Sequence, residues 1–196
     1  MPKSKVISAE AAAMLVSDGA VVTVSSSSGL GCPDAVLGAI GSRFDKEGHP
    51  RNLTTLHPIA AGDMWGVKGI DHLAKPGCLG RIIAGSYPSG PSSAEPPAIW
   101  KMVSGDAIPC YNVPSGILFD MHREAAAKRP GVLTKVGMDT FVDPDREGCA
   151  MNAKAAARPI VSRVTFAGDD WLFFPVITPD IAIIRATTAD ERGNLS

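Results

Sequence analysis

The stretch "AVVTVSSSSGLGCPDAV", residues 20–36, joins an apolar run to a second apolar pattern through four serines and two glycines. Residues 20–24 are short, apolar and rich in valine, which predicts a buried strand. Pro33 suits the first position of a helix. Apolar residues at helical spacing follow it: Val36, Leu37 and Ile40. The stretch therefore predicts a strand, a loop and a helix.

The loop between strand and helix has the chemistry of an anion site. Backbone N–H groups at such a turn face the N-terminal end of the helix, where the dipole favours an anion or a developing oxyanion. Gly29 and Gly31 let the main chain approach a ligand, and Ser25, Ser26, Ser27 and Ser28 add small hydroxyl donors. The loop lacks both the Gly-Lys-Ser/Thr of a Walker loop and a full GxGxxG pattern. Phosphate, carboxylate and thioester oxygen remain open as ligands, as does a plain connection.

The rest of the chain alternates in the same way. Strands are predicted within 51–58, 80–86 and 180–187, a helix over 117–128 and a broken helix over 92–103. Ser8 is expected to cap a first helix with an apolar face made of Ala11, Met14 and Leu15. This alternation predicts an α/β fold with a mainly parallel sheet and helices on both faces. Ligands bind such sheets at the carboxyl ends of the strands, where the serine loop lies.

Composition limits the partners and cofactors. The chain has 196 residues, 45% hydrophobic and 20% charged, with a formal net charge of -1. This composition predicts one globular domain and gives no electrostatic reason to expect binding to nucleic acid or to an anionic membrane surface. The four cysteines form no CxxC pair, so neither a zinc site nor a disulfide framework is predicted. No run approaches the ~20 apolar residues of a spanning helix, and a cytoplasmic protein is expected.

Single polar residues give weaker signals. His57 is interpreted as a strand-end histidine and His122 as a half-buried packing residue. Ser115 in "NVPSGIL" is interpreted as a helix N-cap. Glu95 lies in a predicted loop, and Glu124 beside Arg123 is interpreted as a solvated helix charge. Spacing alone yields no carboxylate pair, metal cluster or catalytic triad.

The segment "DGAVVTVSSSSGLGCPD" resembles the N-terminal signature of the family I coenzyme A transferases. Asp18, Gly19, Gly31 and Pro33 stand at the family's spacing. Serines 25–27 occupy the Gly-Gly-Phe positions of that signature, and Thr23 interrupts its apolar triplet. Further segments look like the acetate, propionate and 3-oxoacid type: "PRNLTTLHP", "YNVPSGIL", "REAAAKRPGVLTKVGMDTFVDPDREGCAMN" and "PDIAIIRATTADERGN".

The resemblance implies a mechanism in which a glutamate attacks an acyl-CoA thioester and then carries coenzyme A as a glutamyl thioester. That glutamate belongs to the C-terminal half of the family's proteins, so neither Glu95 nor Glu191 is expected to be the nucleophile. The N-terminal half is expected to place the loop Ser25–Ser28, Gly29 and Gly31 near the thioester carbonyl. The residues expected to line the acyl pocket are Asn112, Pro114, Ser115, Gly116, Thr140 and Phe141. Relatives commonly have Gln at the position of Ser115.

The resemblance also implies the organisation of the protein. Residues 1–196 are expected to form a single N-terminal, α-subunit-like domain, truncated at its C-terminal end, because "ATTADERGNLS" follows directly on an apolar strand. The expected partners are a C-terminal, β-like half, fused or separate, further copies in a homo-oligomer, acyl-CoA and small carboxylic acids. Coenzyme A is expected as substrate, with no permanently bound cofactor and no metal. A non-catalytic acyl-CoA-binding module and an acyl-CoA hydrolase on the same fold remain open.

Overall fold

A computed structural model describes residues 4–89 and 96–196. Its elements, in chain order, are α1 (Ala9–Ala13), β1 (Val21–Val24), α2 (Asp34–Glu47), β2 (Leu53–His57), a 3₁₀ helix (Gly69–Leu73), β3 (Leu79–Ala84), α3 (Ala98–Ser104), β4 (Cys110–Asn112), α4 (Ser115–Ala126), β5 (Gly131–Thr134), α5 (Ala153–Ala156), β6 (Ser162–Phe166), β7 (Asp169–Pro175) and β8 (Ile181–Ile183).

The main sheet has five strands in the order β4-β3-β2-β1-β8, and every neighbouring pair is parallel. In the register of β1, Val22 lies opposite Thr55 of β2 on one side and Ile181 of β8 on the other. The first strand of the chain is therefore an interior strand. Its carboxyl end lies between those of β2 and β8, so the loop after β1 has a neighbouring strand end on each side.

Helices cover both faces of this sheet, as the alternation predicts. On one face, α2, the 3₁₀ helix and α3 pack over Val22 and Ile82, and Leu37 and Ile40 are completely buried. The predicted stripe of α2 is confirmed for these two residues, while Val36 is only partly buried. On the other face, α4 packs its side chains Ile117, Leu118 and Met121 against the sheet.

A second sheet completes the α4 side. It contains three antiparallel strands in the order β5-β7-β6, and Leu172 and Phe174 of β7 are completely buried beneath α4 and β5. The β6–β7 hairpin turns through Ala167 and Gly168, both at positive φ, which fits a tight two-residue turn. This antiparallel unit was not part of the sequence prediction.

Two local predictions differ from the structure. Helix α1 ends at Ala13, and the buried residues there are Ala13 and Val16, so the expected apolar face of Ala11, Met14 and Leu15 is wrong. Five residues make barely more than one turn, too short for a helical stripe to reach residues 14 and 15. The broken helix predicted over 92–103 is observed as α3, and its residues 92–95, with Glu95, lie outside the described residues.

Candidate functional site

The serine loop lies at the carboxyl end of β1, where the sequence places it. Two backbone hydrogen bonds fasten it to the loop after β2: Ser28 N–H donates to the Ala60 carbonyl at 2.8 Å, and Gly62 N–H donates to the Ser28 carbonyl at 2.9 Å. Within the loop, Ser27 and Leu30 exchange backbone hydrogen bonds of 2.9 and 3.1 Å. Hydrogen bonds therefore fix the conformation of the loop.

This bracing leaves selected N–H groups uncommitted. Within the part of the chain that the structure describes, the backbone N–H groups of Ser26, Gly29 and Gly31 donate no hydrogen bond, and neither does the hydroxyl of Ser25. Unpaired donors at a strand-to-helix turn bind water, an anion or a carbonyl oxygen. The loop can thus offer donors to a ligand without breaking its own bonds.

Gly29 and Gly31 are required in the loop for different structural reasons. Gly31 has φ of +67°, a conformation that side chains rarely adopt, while a Cβ there would meet nothing within 4 Å. A Cβ on Gly29 would collide with the Asp63 carboxylate. Serines 25–27, which replace Gly-Gly-Phe of the signature, all lie outside the positive-φ region, since the one serine found there is Ser28 at 60°. The serine substitutions are therefore free of that backbone strain.

A pocket of about 290 Å³ opens beside the loop on the α4 side of the sheet. Its lining consists of Thr23, Val24, Ser25, Ser26, Pro58, Phe119, His122, Ala182 and Ile184. The walls are mainly apolar, with the loop's polar groups at one end. Among the described residues of this lining, His122 is the one that is ionisable.

His122 and Thr23 meet in this pocket. His122 Nδ1 lies 2.6 Å from the Leu118 carbonyl, and its Nε2 lies 2.7 Å from Thr23 Oγ1. Thr23 Oγ1 also lies 2.9 Å from the Leu56 carbonyl. The interpretation of His122 as packing is incomplete, because both ring nitrogens make hydrogen bonds and the ring lines a pocket. The available signal was Thr23, a polar residue where the family signature has an apolar one.

The segment 112–116, expected to line the acyl pocket, lies at the ends of β3 and β4. Asn112 Nδ2 donates to the Gly85 carbonyl at 3.2 Å, and Ser115 Oγ donates to the Pro58 carbonyl at 2.6 Å. The prediction that Ser115 caps α4 is wrong: Pro114 holds the N-cap position, and no side chain caps the helix. The Ser115 hydroxyl is taken by a carbonyl from the neighbouring loop instead.

Thr140 and Phe141 lie further away, and both are exposed. Backbone hydrogen bonds connect this segment to β4, because Cys149 N–H donates to the Phe141 carbonyl at 3.0 Å and Asn112 N–H donates to the Cys149 carbonyl at 2.9 Å. None of the six expected acyl-pocket residues belongs to the lining of the 290 Å³ pocket. Their contact with an acyl group stays a prediction.

Other reactive groups are buried. Burial raises the pKa of all four cysteine thiols, to about 11 at Cys78 and about 12 at Cys110 and Cys149. None of them forms a disulfide. Thiols with such pKa values stay protonated near neutral pH, so they are poor nucleophiles and poor metal ligands.

Two further findings concern the described ranges, 4–89 and 96–196. They contain no cluster of three or more His, Cys, Asp or Glu arranged to hold a metal ion. None of their helices has the length and apolar character needed to cross a membrane.

A larger cleft, of about 710 Å³, lies between the turn at Pro144–Gly148 and α5. None of its lining residues belongs to β1 or to the serine loop, and its apolar lining residues are alanine, proline, glycine and valine. Four charged residues line it, Asp145, Arg146, Glu147 and Arg163, and Arg163 is already bound by Asp143 at 2.5 Å. The smaller pocket beside the serine loop is the better candidate because Ser25 and Ser26, which carry uncommitted donors, belong to its lining.

The fold and this site define a class of α/β proteins that present a braced loop of backbone donors at the carboxyl edge of a parallel sheet. A model of the family described as coenzyme A transferase matches residues 6–196. The chain belongs to the coenzyme A transferase family.

Comparison with individual relatives supports the same family. The chain is 38% identical over 193 residues to a caffeate CoA-transferase of Acetobacterium woodii, an alignment that covers 98% of this chain and 35% of the relative. It is 32% identical over 190 residues to the acetate CoA-transferase YdiF of Escherichia coli (strain K12), covering 96% and 34%. It therefore spans about a third of these two relatives. An acetate CoA-transferase subunit alpha of the same strain is 26% identical over 194 residues, covering 99% of this chain and 75% of the subunit.

Comparison with solved structures also supports this family. The apoenzyme of the acyl-CoA transferase YdiF from E. coli O157:H7 superimposes with a TM-score of 0.85 at 30% identity, covering 98% of this chain and 36% of that one. Its thioester complex with CoA gives a TM-score of 0.86, covering 98% and 38%. The predicted fold class is thus confirmed by both topology and structural relatives.

Proposed function

We propose that this chain forms the N-terminal part of a CoA-transferase that moves coenzyme A between an acyl-CoA and a short-chain or 3-oxo carboxylic acid. The observation that carries the proposal is the set of uncommitted N–H groups on the serine loop, at Ser26, Gly29 and Gly31, beside a pocket with apolar walls. Donors fixed in this way can stabilise the oxyanion that forms when a thioester carbonyl is attacked. The loop performs no covalent chemistry itself.

The reaction needs a carboxylate nucleophile, which we assign to polypeptide outside residues 1–196. Its oxygen attacks the thioester carbonyl carbon, the C–S bond breaks, and an acyl-glutamyl anhydride and CoA thiolate result. The thiolate then attacks the glutamyl carbonyl, forming the glutamyl-CoA thioester and releasing the acid as a carboxylate. A second carboxylate reverses these steps. No proton, metal or redox cofactor is needed, and coenzyme A acts as substrate.

The coverage of the relatives supports a partner for this chain. It matches about a third of the caffeate CoA-transferase and of the acetate CoA-transferase YdiF, and three quarters of an α subunit. We therefore propose a complementary β-like half, fused or separate, with the active site at its junction with the serine loop. Residues 1–196 then form a single α-like domain. Assembly into homo-oligomers and a cytoplasmic location belong to the same proposal.

The test is denaturing mass spectrometry of the complete protein that contains this chain, after incubation with acetyl-CoA and no acceptor acid. A CoA-sized mass gained on a glutamate outside residues 1–196 is expected. Release of acetate and CoA to water without an adduct would instead identify an acyl-CoA hydrolase. Bound acetyl-CoA with neither adduct nor exchange would identify a binding module.

A variant of the loop connects the adduct to this site. Ser25→Ala removes an uncommitted hydroxyl from the pocket and is expected to slow adduct formation about tenfold, the effect of one lost hydrogen bond to a charged group. Ser42→Ala, on an exposed face of α2, is the matched control and should leave the rate unchanged. Equal rates for both variants would contradict the role given to the loop.

A further inference from the structure

The pair formed by Thr23 and His122 joins residues 99 positions apart in the chain. Thr23 interrupts the apolar triplet of the family signature, and it lies on an interior strand of the sheet where an apolar residue would pack without cost. Its hydroxyl has two neighbours, the Leu56 carbonyl and His122 Nε2. The pair therefore gives a physical reason for a departure from the signature.

The hydrogens of this array can be counted. The Leu118 carbonyl can only accept, so His122 Nδ1 carries a hydrogen and donates it. The Thr23 hydroxyl has one hydrogen, which it can donate either to the Leu56 carbonyl or to His122 Nε2. With a neutral His122 ring the hydroxyl donates to Nε2, and two of the three contacts are hydrogen bonds. With a hydrogen on Nε2 as well, the hydroxyl donates to the Leu56 carbonyl, and all three contacts are hydrogen bonds.

The surroundings would leave a charge on the His122 ring free to act on a ligand. Among the residues that the structure describes, the pocket lining contains no other ionisable residue. On α4, the neighbouring charges are paired, Arg123 with Asp120 and Glu124 with Arg129. Neither β1 nor β5, which pack against α4, carries an ionisable residue.

Two more ionisable groups belong to elements that border the pocket. His57 ends β2 and is completely buried, and it belongs to the same alternating row of β2 as Leu53, which packs in the core on the α2 side. Arg185 follows Ile184 at the end of β8, and alternation along an extended chain places these two side chains on opposite faces, with Ile184 toward the pocket. His122 is thus the ionisable side chain that faces the pocket from the α4 side.

We propose that His122 is the specificity-determining residue that makes this pocket select a carboxylate over a neutral ligand of the same shape. His122 supplies the positive charge while the Ser25 hydroxyl and the Ser26 N–H supply direct hydrogen bonds to the carboxylate oxygens. Thr23 is the positioning residue that holds the imidazolium in place. The inference deepens the proposed function, because a carboxylic acid is one substrate of a CoA-transferase.

The test compares propionate with propionamide, which has the same shape without the charge, as ligands of the complete protein in titration calorimetry. The wild-type protein is expected to bind propionate about tenfold more tightly than propionamide, the value of one hydrogen bond to a charged group. His122→Gln keeps a hydrogen-bonding side chain but removes the charge, and it should abolish the preference. Thr23→Val keeps the shape of the side chain and should lower it. The control is His49→Gln, an exposed histidine paired with Asp18, which should retain it.

A second readout addresses the protonation state directly. In ¹⁵N spectra of imidazole side chains, His122 is expected to carry hydrogens on both ring nitrogens in the propionate complex. An unchanged preference in His122→Gln, or a singly protonated His122 in the complex, would overturn the inference. Calorimetry measures binding without turnover, so this inference and the proposed function can fail separately. If the protein shows no transferase activity but its preference for carboxylate still depends on His122, the proposed function is refuted and this inference stands.

Discussion

The Ser115 hydroxyl donates a hydrogen bond of 2.6 Å to the Pro58 carbonyl, which ties the first residue of α4 to the loop after β2. Pro58 lines the candidate pocket, and Ser115 does not. Ser115 therefore contacts the pocket only through the backbone of a neighbouring loop.

Removing this bond should weaken the fold slightly. Ser115→Ala is expected to lower the free energy of unfolding by about 1 kcal/mol, the typical net value of one partly buried hydrogen bond. Urea denaturation followed by circular dichroism measures this loss. Ser42→Ala also places alanine in a helix but removes no hydrogen bond, so it controls for helix propensity. If both variants lose the same stability, the Ser115–Pro58 bond is not a stabilising contact.

Gly85 packs against the same junction. A Cβ at Gly85 would collide with the Pro58 carbonyl and with the Ser115 hydroxyl, and the first of these is backbone and cannot swing aside. Gly85→Ala is therefore expected to destabilise the protein by about 2 kcal/mol, as overpacking does. The matched control, Gly116→Ala in α4, meets nothing within 4 Å and should raise stability by about 0.5 kcal/mol through helix propensity. Thermal melts that rank the two variants in the opposite order would refute this packing argument.

The part of the site that follows from the sequence is the part encoded locally. Residues 20–36 hold a strand, its loop and the start of a helix in one continuous segment, so periodicity and glycine chemistry are enough to place the loop at the sheet's edge. The partnership of Thr23 with His122 depends on how α4 crosses the sheet, which no local pattern encodes. Ser115 illustrates the same limit, because its local pattern favours capping while the nearby Pro58 carbonyl is visible only in the fold.

The antiparallel sheet was missed for a related reason. Strands β6 and β7 are half-buried runs that local patterning does not distinguish from parallel strands. The distinguishing feature was the two-residue turn at Ala167 and Gly168, which is too short for the crossover that a parallel pair needs.

Asp143 is a buried carboxylate that should make the fold sensitive to acid. Burial alone would raise its pKa, but hydrogen bonds from the Asp139 and Asp145 backbone N–H groups and from Arg163 outweigh burial and lower it. Because the folded pKa lies below the unfolded one, the stabilisation is complete above the unfolded value of 3.8 and is lost as pH falls through the folded pKa. Asp143→Asn should cost about 2 kcal/mol at pH 7, below the usual range for a broken buried pair because Arg163 is partly exposed.

The control for Asp143 is a second partner of the same arginine. Asp170 lies 4.0 Å from Arg163 with a largely exposed side chain, so Asp170→Asn should change stability by less than about 0.5 kcal/mol. Urea titrations at pH 7 and pH 3 check both variants. Asp143→Asn should also flatten the loss of stability below pH 4, and a slope equal to that of the wild type would contradict the assignment of this loss to Asp143.

His57 should dominate the pH dependence of the free energy of unfolding at a higher pH than Asp143 does. Its ring is completely buried, lies in edge contact with Tyr87 at a centroid distance of 6.2 Å, and makes no hydrogen bond of normal geometry within the described residues. Burial lowers its pKa from 6.5 to about 4, an effect that the backbone of Ile59 opposes only in part. Between pH 6.5 and pH 4, His57 is therefore protonated in the unfolded chain and neutral in the folded protein. The free energy of unfolding should fall by about 3 kcal/mol across that window.

Two variants isolate this effect. His57→Phe removes the titrating group from an apolar site and should make stability nearly constant between pH 6.5 and pH 4, while His49→Gln, at an exposed histidine, should keep the wild-type slope. Chemical denaturation at half-unit pH steps gives both curves. A wild-type slope in His57→Phe would mean that another group takes up the proton. A flat curve would mean that a histidine at the end of β2, beside the loop that braces the serine segment, is kept neutral by the fold at a measurable cost in acid stability.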